Sequence, residues 1–436
     1  MPRFENGQYH FLDLFDGNGM EDMIIDLPYS DLRRSIPDDD LIVKTLFYVP
    51  LMRLDRIRSL SFLAYVGPSP ERMISMGYKH TRWSHVNGVA LASSEIGLLN
   101  NLPHDSIRTL KMGGLLHDGA TPALGEATKF VDPENLDEEV HWRDILDENA
   151  ENFMRSQGID VETLDDIINN RGMLSQILDI ADRITYTTMD LENVIGDVSD
   201  KTKTDLYLME LRYPLSHDPK IGNIYRDVVV DQKKKLVFFS DPKRLGVFLL
   251  LRAMMHKNLY MNPTSMGRDL FVGNLLRPLY ATDGSKILSP SGLRRMTDSD
   301  VLTVLAETYK FDRENPDWLY HHLTNWYSSF EKFENLEEAE KRANELKIEP
   351  DVAVLGIRVC NGFDTATSYK VLNSFGEIES FSDCEPEKAR KIEKMSQETY
   401  GVYLFYADVS ENTSINDLLR KVHGMPQSIA TEDKIG

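Results

Sequence analysis

The sequence predicts a mainly α-helical protein with a small β-hairpin insertion and a small α/β module at its C-terminal end. Three observations carry that expectation. Apolar residues recur at three- and four-residue intervals through most of residues 46–345, the period of amphipathic helices. Two β-rich runs, Val228-Val229-Val230 and Leu236-Val237-Phe238-Phe239, flank Asp231-Gln232-Lys233-Lys234-Lys235, the pattern of a hairpin. Beyond Pro350, the runs AVLGIRV (353–359) and YGVYLFYADV (400–409) enclose the helix-like Glu385–Thr399. A chain of 436 residues is long enough for two or three domains. The expected division is an N-terminal arm or hairpin (1–45), a helical domain (46–345) and a C-terminal α/β domain (346–436).

The elements follow in order. Residues 1–45 mix the β-prone pieces Gln8–Phe15 and Asp22–Leu27 with the acidic turn Pro37-Asp38-Asp39-Asp40. In Leu51–Phe62 the apolar positions Leu51, Leu54, Ile57 and Leu60 keep helical spacing, with Arg53, Arg56 and Arg58 between them. His85–Asn100 and Ser106–Leu116 read as helices, as do Val140–Ser156, Val161–Asn169 and Ser175–Ile195. After the hairpin, helices are expected over Pro242–Tyr260, Ser265–Tyr280 and Asp298–Thr308. Asp317–Leu346, rich in Glu, Lys and Ala, reads as a solvated helical connector.

Composition narrows the classes. Apolar residues make up 41% and charged residues 27%, the proportions of a folded globular chain rather than a disordered one. The formal net charge of −21 disfavours non-specific binding to double-stranded nucleic acid or an anionic membrane. An anionic substrate would therefore need local Lys and Arg, or a metal, at its site. Cys360 and Cys384 are the two cysteines, too few for a disulfide framework. Neither a signal peptide nor a membrane span is visible, so a cytoplasmic protein is expected. No P-loop, GxSxG, HExxH or EF-hand pattern is present.

The most informative run is Leu115-Leu116-His117-Asp118-Gly119. An imidazole and a carboxylate at a helix end reach one ion from the same side, a donor pair suited to Fe, Mn, Zn or Mg. A His-Asp dipeptide is common, so its context matters. Thr81-Arg82-Trp83-Ser84-His85 places another His at the start of an apolar helix. Asp179-Ile180-Ala181-Asp182-Arg183 sets two acids in an apolar helical pattern, and Gly119-Ala120-Thr121-Pro122 forms a turn of the kind that shapes a pocket. Taken singly, His85 reads equally as a capping or packed histidine and Asp182 as a satisfied buried acid. Together the four favour a metal, because a buried carboxylate without a partner is costly and a cation is a good partner.

In the order His85, His117-Asp118, Asp182 the chain resembles the HD-domain metal-dependent phosphohydrolases. The local text is most similar to the deoxynucleoside triphosphate triphosphohydrolase branch, which includes bacterial dGTPases and the SAM-and-HD-domain proteins. TRWSHVNGVA is similar to that branch's TRxxHSxGV, HDGATPALGE to HDxGxxPFxH, ADRITYTTMD to DxxDYxxRD, and RAMMHKNLYMNP (252–263) to RxxxHxxxYxHP. The resemblance spans about residues 46–280. It implies an HD-domain helical core in which His85, His117, Asp118 and Asp182 hold a catalytic divalent metal, with Mg as a further ion that can accompany the nucleotide.

Asp182, Tyr186 and Asp190 lie at i, i+4 and i+8, on one helix face. The resemblance gives Tyr186 and Asp190 the sugar 3′-hydroxyl and Arg183 a phosphate, although an exposed helix Arg is the commoner reading of Arg183. Arg252, His256 and Tyr260 repeat the spacing. An Arg fork suits a phosphate clamp and a Tyr can stack on a sugar or base, and the resemblance assigns these three to the triphosphate and nucleoside. Lys257 and Arg268 supply further positive charge nearby.

Two positions depart from the pattern. Glu126 stands nine residues after His117, where the family has a catalytic His. A Glu serves as general acid if burial raises its pKa, and the change equally fits an altered activity. His141 sits where the family often has a second active-site His and is the candidate phosphate-facing proton donor. Beside Asp137, Glu138 and Glu139 it also reads as a surface histidine. Arg53-Leu54-Asp55-Arg56-Ile57 fits the frame of the family's RLxxIxxL, but Asp55 is the second departure, standing at the substrate position, where either Arg53 or Arg56 can substitute.

The activity implied is hydrolysis of (deoxy)nucleoside triphosphates between the α-phosphate and the sugar 5′ oxygen, giving nucleoside and tripolyphosphate. The alternatives are an HD phosphohydrolase acting on another nucleotide or phosphoester, and a nucleotide-sensing regulatory protein. The HDxxEDT and HDxGK signatures of two other HD classes are absent. The resemblance also implies a homo-oligomer and leaves room for an allosteric nucleotide site.

Overall fold

The computed structural model describes residues 4–5, 8–9, 24–35, 40–59, 65–66, 74–75, 80–196, 206–309, 328–410 and 429–431. The turn Pro37–Asp39, most of the piece Gln8–Phe15, and residues 60–62 and 310–327 lie outside them. The fold is mainly α with small sheets, as expected.

Three helices build the centre: Arg82–Leu99, His104–Leu116 and Met173–Gly196. Thr81 starts the first, its side chain accepting from the Ser84 N–H, which satisfies one of the free donors of a helix N-terminus. Two glycines let the three helices approach closely. A Cβ on Gly114 would lie 2.5 Å from the Ala90 Cα and N, and one on Gly88 would lie 2.6 Å from the Thr185 Cγ2. With no side chain at these crossings, the N-terminal end of the first helix, the C-terminal end of the second and the middle of the third meet at one point.

Asp241 caps the next long helix, Pro242–Met255, with Pro242 at its first position, where a missing N–H costs nothing. Sequence periodicity continues this helix to Tyr260, but the α-helix stops at Met255. His256–Tyr260 form a π turn, closed by the Met261 N–H on the His256 carbonyl at 2.8 Å. Wide turns of this kind occur often at functional sites.

The hairpin is present as antiparallel strands Val228–Asp231 and Leu236–Phe239, with Val228 opposite Phe239. It does not stand alone. Val371 of the strand Lys370–Leu372 pairs in parallel with Phe239, and Ile378–Ser380 completes a four-stranded sheet. The second four-stranded sheet runs in the order Ile429–Thr431, Val352–Cys360, Gly401–Asp408, Ser329–Phe333. One apolar cluster runs without a break from the central helices into this C-terminal part, taking in Leu355, Phe363, Val371, Phe381 and Phe405.

Three expected helices are altered. The connector Asp317–Leu346 contains the strand Ser329–Phe333, paired with Val402–Tyr406, and the helix begins only at Leu336, capped by Asn335. Long-range pairing overrides the local helical composition there. Val140–Ser156 divides into a 3-10 turn, Trp142–Ile145, and a helix from Glu148, because Asp147 caps a new start. Leu51–Arg56 is a 3-10 turn following Pro50. Among the described residues, no helix is long and apolar enough to cross a membrane.

Candidate metal centre and adjoining pocket

His85 and His117 bring their rings within 5.4 Å of each other at the crossing of the three central helices. His85 Nε2 lies 3.1 Å from Asp182 Oδ1 and 3.3 Å from Asp118 Oδ2. His117 Nε2 lies 3.5 Å from Asp182 Oδ1 and 3.8 Å from Asp118 Oδ1. The ligand atoms of His85, His117 and Asp118 all fall within 4.8 Å of one another, and all three residues are buried. His117 Nδ1 sits 2.9 Å from the Gly114 carbonyl, so Nδ1 carries the hydrogen and a neutral ring turns the Nε2 lone pair inward. That Nε2 is buried without a hydrogen-bond partner. Two imidazoles and two carboxylates, with an orphaned nitrogen aimed between them, fit a divalent cation of the Fe, Mn, Zn or Mg type.

Without a cation, the four groups pair with one another. Burial alone would lower the His117 pKa, but the Asp118 and Asp182 carboxylates outweigh it and push it up to about 9. His85 is raised on the same balance. Burial works against ionised Asp118, yet Arg82, His117 and His85 hold its carboxyl well below the usual range. Arg82 Nη1 contacts Asp118 Oδ2 at 2.5 Å. Sequence reading passed over Arg82 although it lies within the quoted TRWSH run.

A second layer of charge surrounds the centre. Lys129 Nζ lies 2.6 Å from Glu138 Oε1 and 3.2 Å from Glu126 Oε1. Burial would raise Glu126, but Lys129 and Arg82 bring its carboxyl below the ordinary value, so the condition for a neutral-pH general acid is not met there. Its neighbour Glu139 behaves differently. Glu139 lies exposed at the surface, and partial desolvation there, then the adjacent Glu138 charge, push its pKa up to about 7. His141 does not join the centre. Its Nδ1 lies 3.2 Å from Asp144 Oδ2 and its Nε2 3.1 Å from the Glu134 carbonyl.

The helix Met173–Gly196 continues from Asp182 to Tyr186 and Asp190, and the two sequence-derived series meet there in one cluster of contacting side chains. The Tyr186 hydroxyl lies 3.2 Å from His256 Nε2 and accepts from Arg252 Nε. The Tyr260 hydroxyl donates to Asp190. Tyr186 and Tyr260 pack edge to face at 6.0 Å. Burial, then Arg252 and Arg183, hold His256 well below the normal histidine range, so it is neutral. Arg252 is 1% exposed, and its Nη2 has no hydrogen-bond partner. Arg183 pairs with Asp179 at 2.8 Å.

His80 and the C-terminal segment also enter the site, and neither was identified from sequence. His80 Nε2 lies 3.1 Å from Asp190 Oδ1, and Asn193 contacts its Nδ1. Asp364 lies 2.5 Å from Arg183 Nη1, the Phe363 ring stacks on His256 at 4.9 Å, and the Tyr369 hydroxyl donates to Asp179 at 2.9 Å. No local signal marks these residues, since Asp364 is 181 positions from Arg183. Of the two upstream arginines, Arg53 is buried and donates to the Gly119 and Thr121 carbonyls, each at 2.8 Å, bracing the turn after His117-Asp118. Arg56 is exposed. Lys257 pairs with Glu398, and Arg268 is fully buried.

No protein-family model matches the chain, and no curated protein sequence matches it. Solved structures do. A hypothetical protein from Aquifex aeolicus superposes with a TM-score of 0.60 at 16% identity, over 92% of this chain and 99% of its own. A phosphohydrolase from Bacteroides thetaiotaomicron VPI-5482 superposes with a TM-score of 0.59 at 15% identity, over 88% of this chain and 97% of its own. The architecture is therefore shared over nearly the whole length of both.

Proposed function

We propose that this protein is a metal-dependent phosphohydrolase of the HD type that cleaves (deoxy)nucleoside triphosphates to nucleoside and tripolyphosphate. The observation that carries the reading is one helix face. Asp182, Tyr186 and Asp190 join a buried His/His/Asp cluster to the side chains of Arg252, His256 and Tyr260. His85, His117, Asp118 and Asp182 would hold a divalent ion, which would supply Lewis-acid stabilisation of charge on a phosphoryl oxygen and lower the pKa of a water. The chain's own residues do the rest. Arg82 keeps Asp118 ionised and oriented. Arg252 and Arg183 bind the phosphates, the free Nη2 of Arg252 being a buried donor for an anion. Asp190, held by Tyr260 and His80, accepts the sugar 3′-hydroxyl, and Tyr186 packs beside the sugar.

The leaving 5′ oxygen needs a proton. Glu126 is kept as a carboxylate by Lys129, and His141 is engaged by Asp144. Glu139, exposed yet within electrostatic reach of His117, Asp118 and Asp182, has a pKa of about 7 that suits proton transfer near neutrality and takes the donor role in this proposal.

The test is to incubate the purified chain with each dNTP and NTP in the presence of Mg, Mn or Fe and to resolve the products. Nucleoside plus tripolyphosphate, lost in a variant carrying His117→Ala with Asp118→Ala, is the expected result. Monophosphate or orthophosphate would move the function to another phosphoester. No turnover of any nucleotide by a metal-loaded chain would overturn the enzymatic reading in favour of nucleotide sensing. The expected homo-oligomer and allosteric nucleotide belong to the same proposal, tested by mass measurement with and without nucleotide.

A further inference from the structure

Both arginines already contact Asp364, Arg183 through its carboxylate and Arg252 through its backbone carbonyl. Asp364 Oδ2 lies 2.5 Å from Arg183 Nη1, and the Asp364 carbonyl accepts from Arg252 Nη1. Its other carboxylate oxygen accepts from the Ala366 N–H at 2.9 Å. Burial would raise Asp364, but Arg183 holds its carboxyl below the ordinary range, so it is ionised at neutral pH. The segment around it is anchored on both sides. Phe363 stacks on His256, its N–H and carbonyl are both bonded to the Ser396 hydroxyl, and Tyr369 reaches Asp179. Val371 then pairs with Phe239. The Asp364 side chain keeps 41% of its surface exposed, so it can swing off Arg183 while these anchors stay in place.

We infer that Asp364 is a specificity-determining residue of this site, a built-in carboxylate held on Arg183 beside Arg252 that an incoming phosphate chain displaces. This rests on Arg183 and Arg252 being the phosphate contacts of the proposed function. One carboxylate carries less charge and fewer acceptor oxygens than a polyphosphate, so a polyphosphate outcompetes it at an Arg pair. A ligand with a single phosphate has far less to offer against a carboxylate tethered at high effective concentration. Asp364 thereby sets a charge threshold, favouring polyphosphate ligands over singly phosphorylated ones.

The experiment uses the full chain and two probes, inorganic tripolyphosphate and orthophosphate, titrated calorimetrically. Asp364→Asn keeps the size and the turn to Ala366 but removes the charge, and Asp364→Glu restores the charge. Tripolyphosphate is expected to bind the wild-type chain, and Asp364→Asn to bind orthophosphate about three- to tenfold more tightly, the strength of one partly exposed ion pair removed, with a smaller gain for tripolyphosphate, so that the preference between the two narrows; an equal gain for both probes would overturn the specificity role. Asp364→Glu should stay near wild type. Hydrogen exchange at the Ala366 N–H, which the Asp364 carboxylate holds, should rise when tripolyphosphate binds the wild-type chain. Unchanged or weaker binding by Asp364→Asn, in a chain that still hydrolyses nucleoside triphosphates, overturns this inference and leaves the proposed function standing. Absence of tripolyphosphate binding in every form, together with no turnover, overturns both.

Discussion

Metal binding at the His85/His117/Asp118/Asp182 cluster should expel protons, and the structure sets the pH window. In the metal-free chain Asp118 and Asp182 hold the His117 proton up to about 9, against burial that favours its loss. A metal ligand must present a lone pair, so at pH 7 binding requires that proton to leave. With a pKa of about 9 the deprotonated fraction rises from about one in a hundred at pH 7 to about one half at pH 9, roughly a fiftyfold gain in apparent affinity, or about 2.3 kcal/mol, from His117 alone. His85, raised in the same direction, steepens the slope. Calorimetric titration with Mn²⁺ in two buffers of different ionisation enthalpy reads both the affinity and the number of protons released. At least one proton per ion is expected at pH 7, and His117→Gln should remove most of the pH dependence. Stability follows the same linkage with a fixed sign. A raised histidine pKa contributes stability that is fully present below about 6.5 and lost as pH rises through about 9. The metal-free melting temperature should therefore fall over that window, while the metal-loaded one does not follow it. An affinity that stays flat from pH 6.5 to 9 with no proton release would refute the argument that His117 Nε2 is a ligand.

Three other outcomes are expected. Glu139→Gln should lower kcat about 10²-fold and abolish the loss of activity that deprotonation of Glu139 causes above about pH 7, and an unchanged pH–rate profile would remove Glu139 as the donor. Asp190→Asn replaces the acceptor shared by Tyr260 and His80, so KM for a deoxynucleoside triphosphate should rise about tenfold, the value of one hydrogen bond to a charged group, with kcat less affected. Steady-state kinetics separates the two, and an unchanged KM would show that Asp190 does not meet the substrate. Gly114→Ala places a Cβ 2.5 Å from Ala90 backbone atoms that cannot rotate away, so about 1–3 kcal/mol of stability should be lost in denaturant melts. Metal affinity should fall as well, because the Gly114 carbonyl orients His117. A variant with unchanged midpoint and affinity would contradict the helix crossing described.

Both i, i+4, i+8 series could be read from sequence because helical spacing converts directly into a shared face, whereas the set His85, His117, Asp118 and Asp182, spread over three helices, was suggested by the order of its motifs. Asp182, Tyr186 and Asp190 needed only the period of one helix to be placed together. Arg252, His256 and Tyr260 were located in the same way, although the π turn at His256–Tyr260 was invisible to a count of residues. The hairpin was equally plain in its two β-rich runs, whereas Ser329–Phe333 was hidden inside a helix-forming composition and became a strand through pairing with Val402–Tyr406.

The sequence by itself determined which chemistry is at hand: Asp182, Tyr186 and Asp190 at one helical interval, Arg252, His256 and Tyr260 at another, and His85 and His117-Asp118 apart from them. Tertiary structure alone decided which element lies opposite which, through the close crossings at Gly88 and Gly114. It decided the charge states too. Glu126 and Glu139 are the same residue type, yet Lys129 holds one carboxyl low while partial desolvation and Glu138 drive the other up to about 7. It also brought His80, Phe363, Asp364 and Tyr369 into the site. Periodicity is a property of one segment, whereas burial, pKa and contact depend on elements that meet only after the chain has folded.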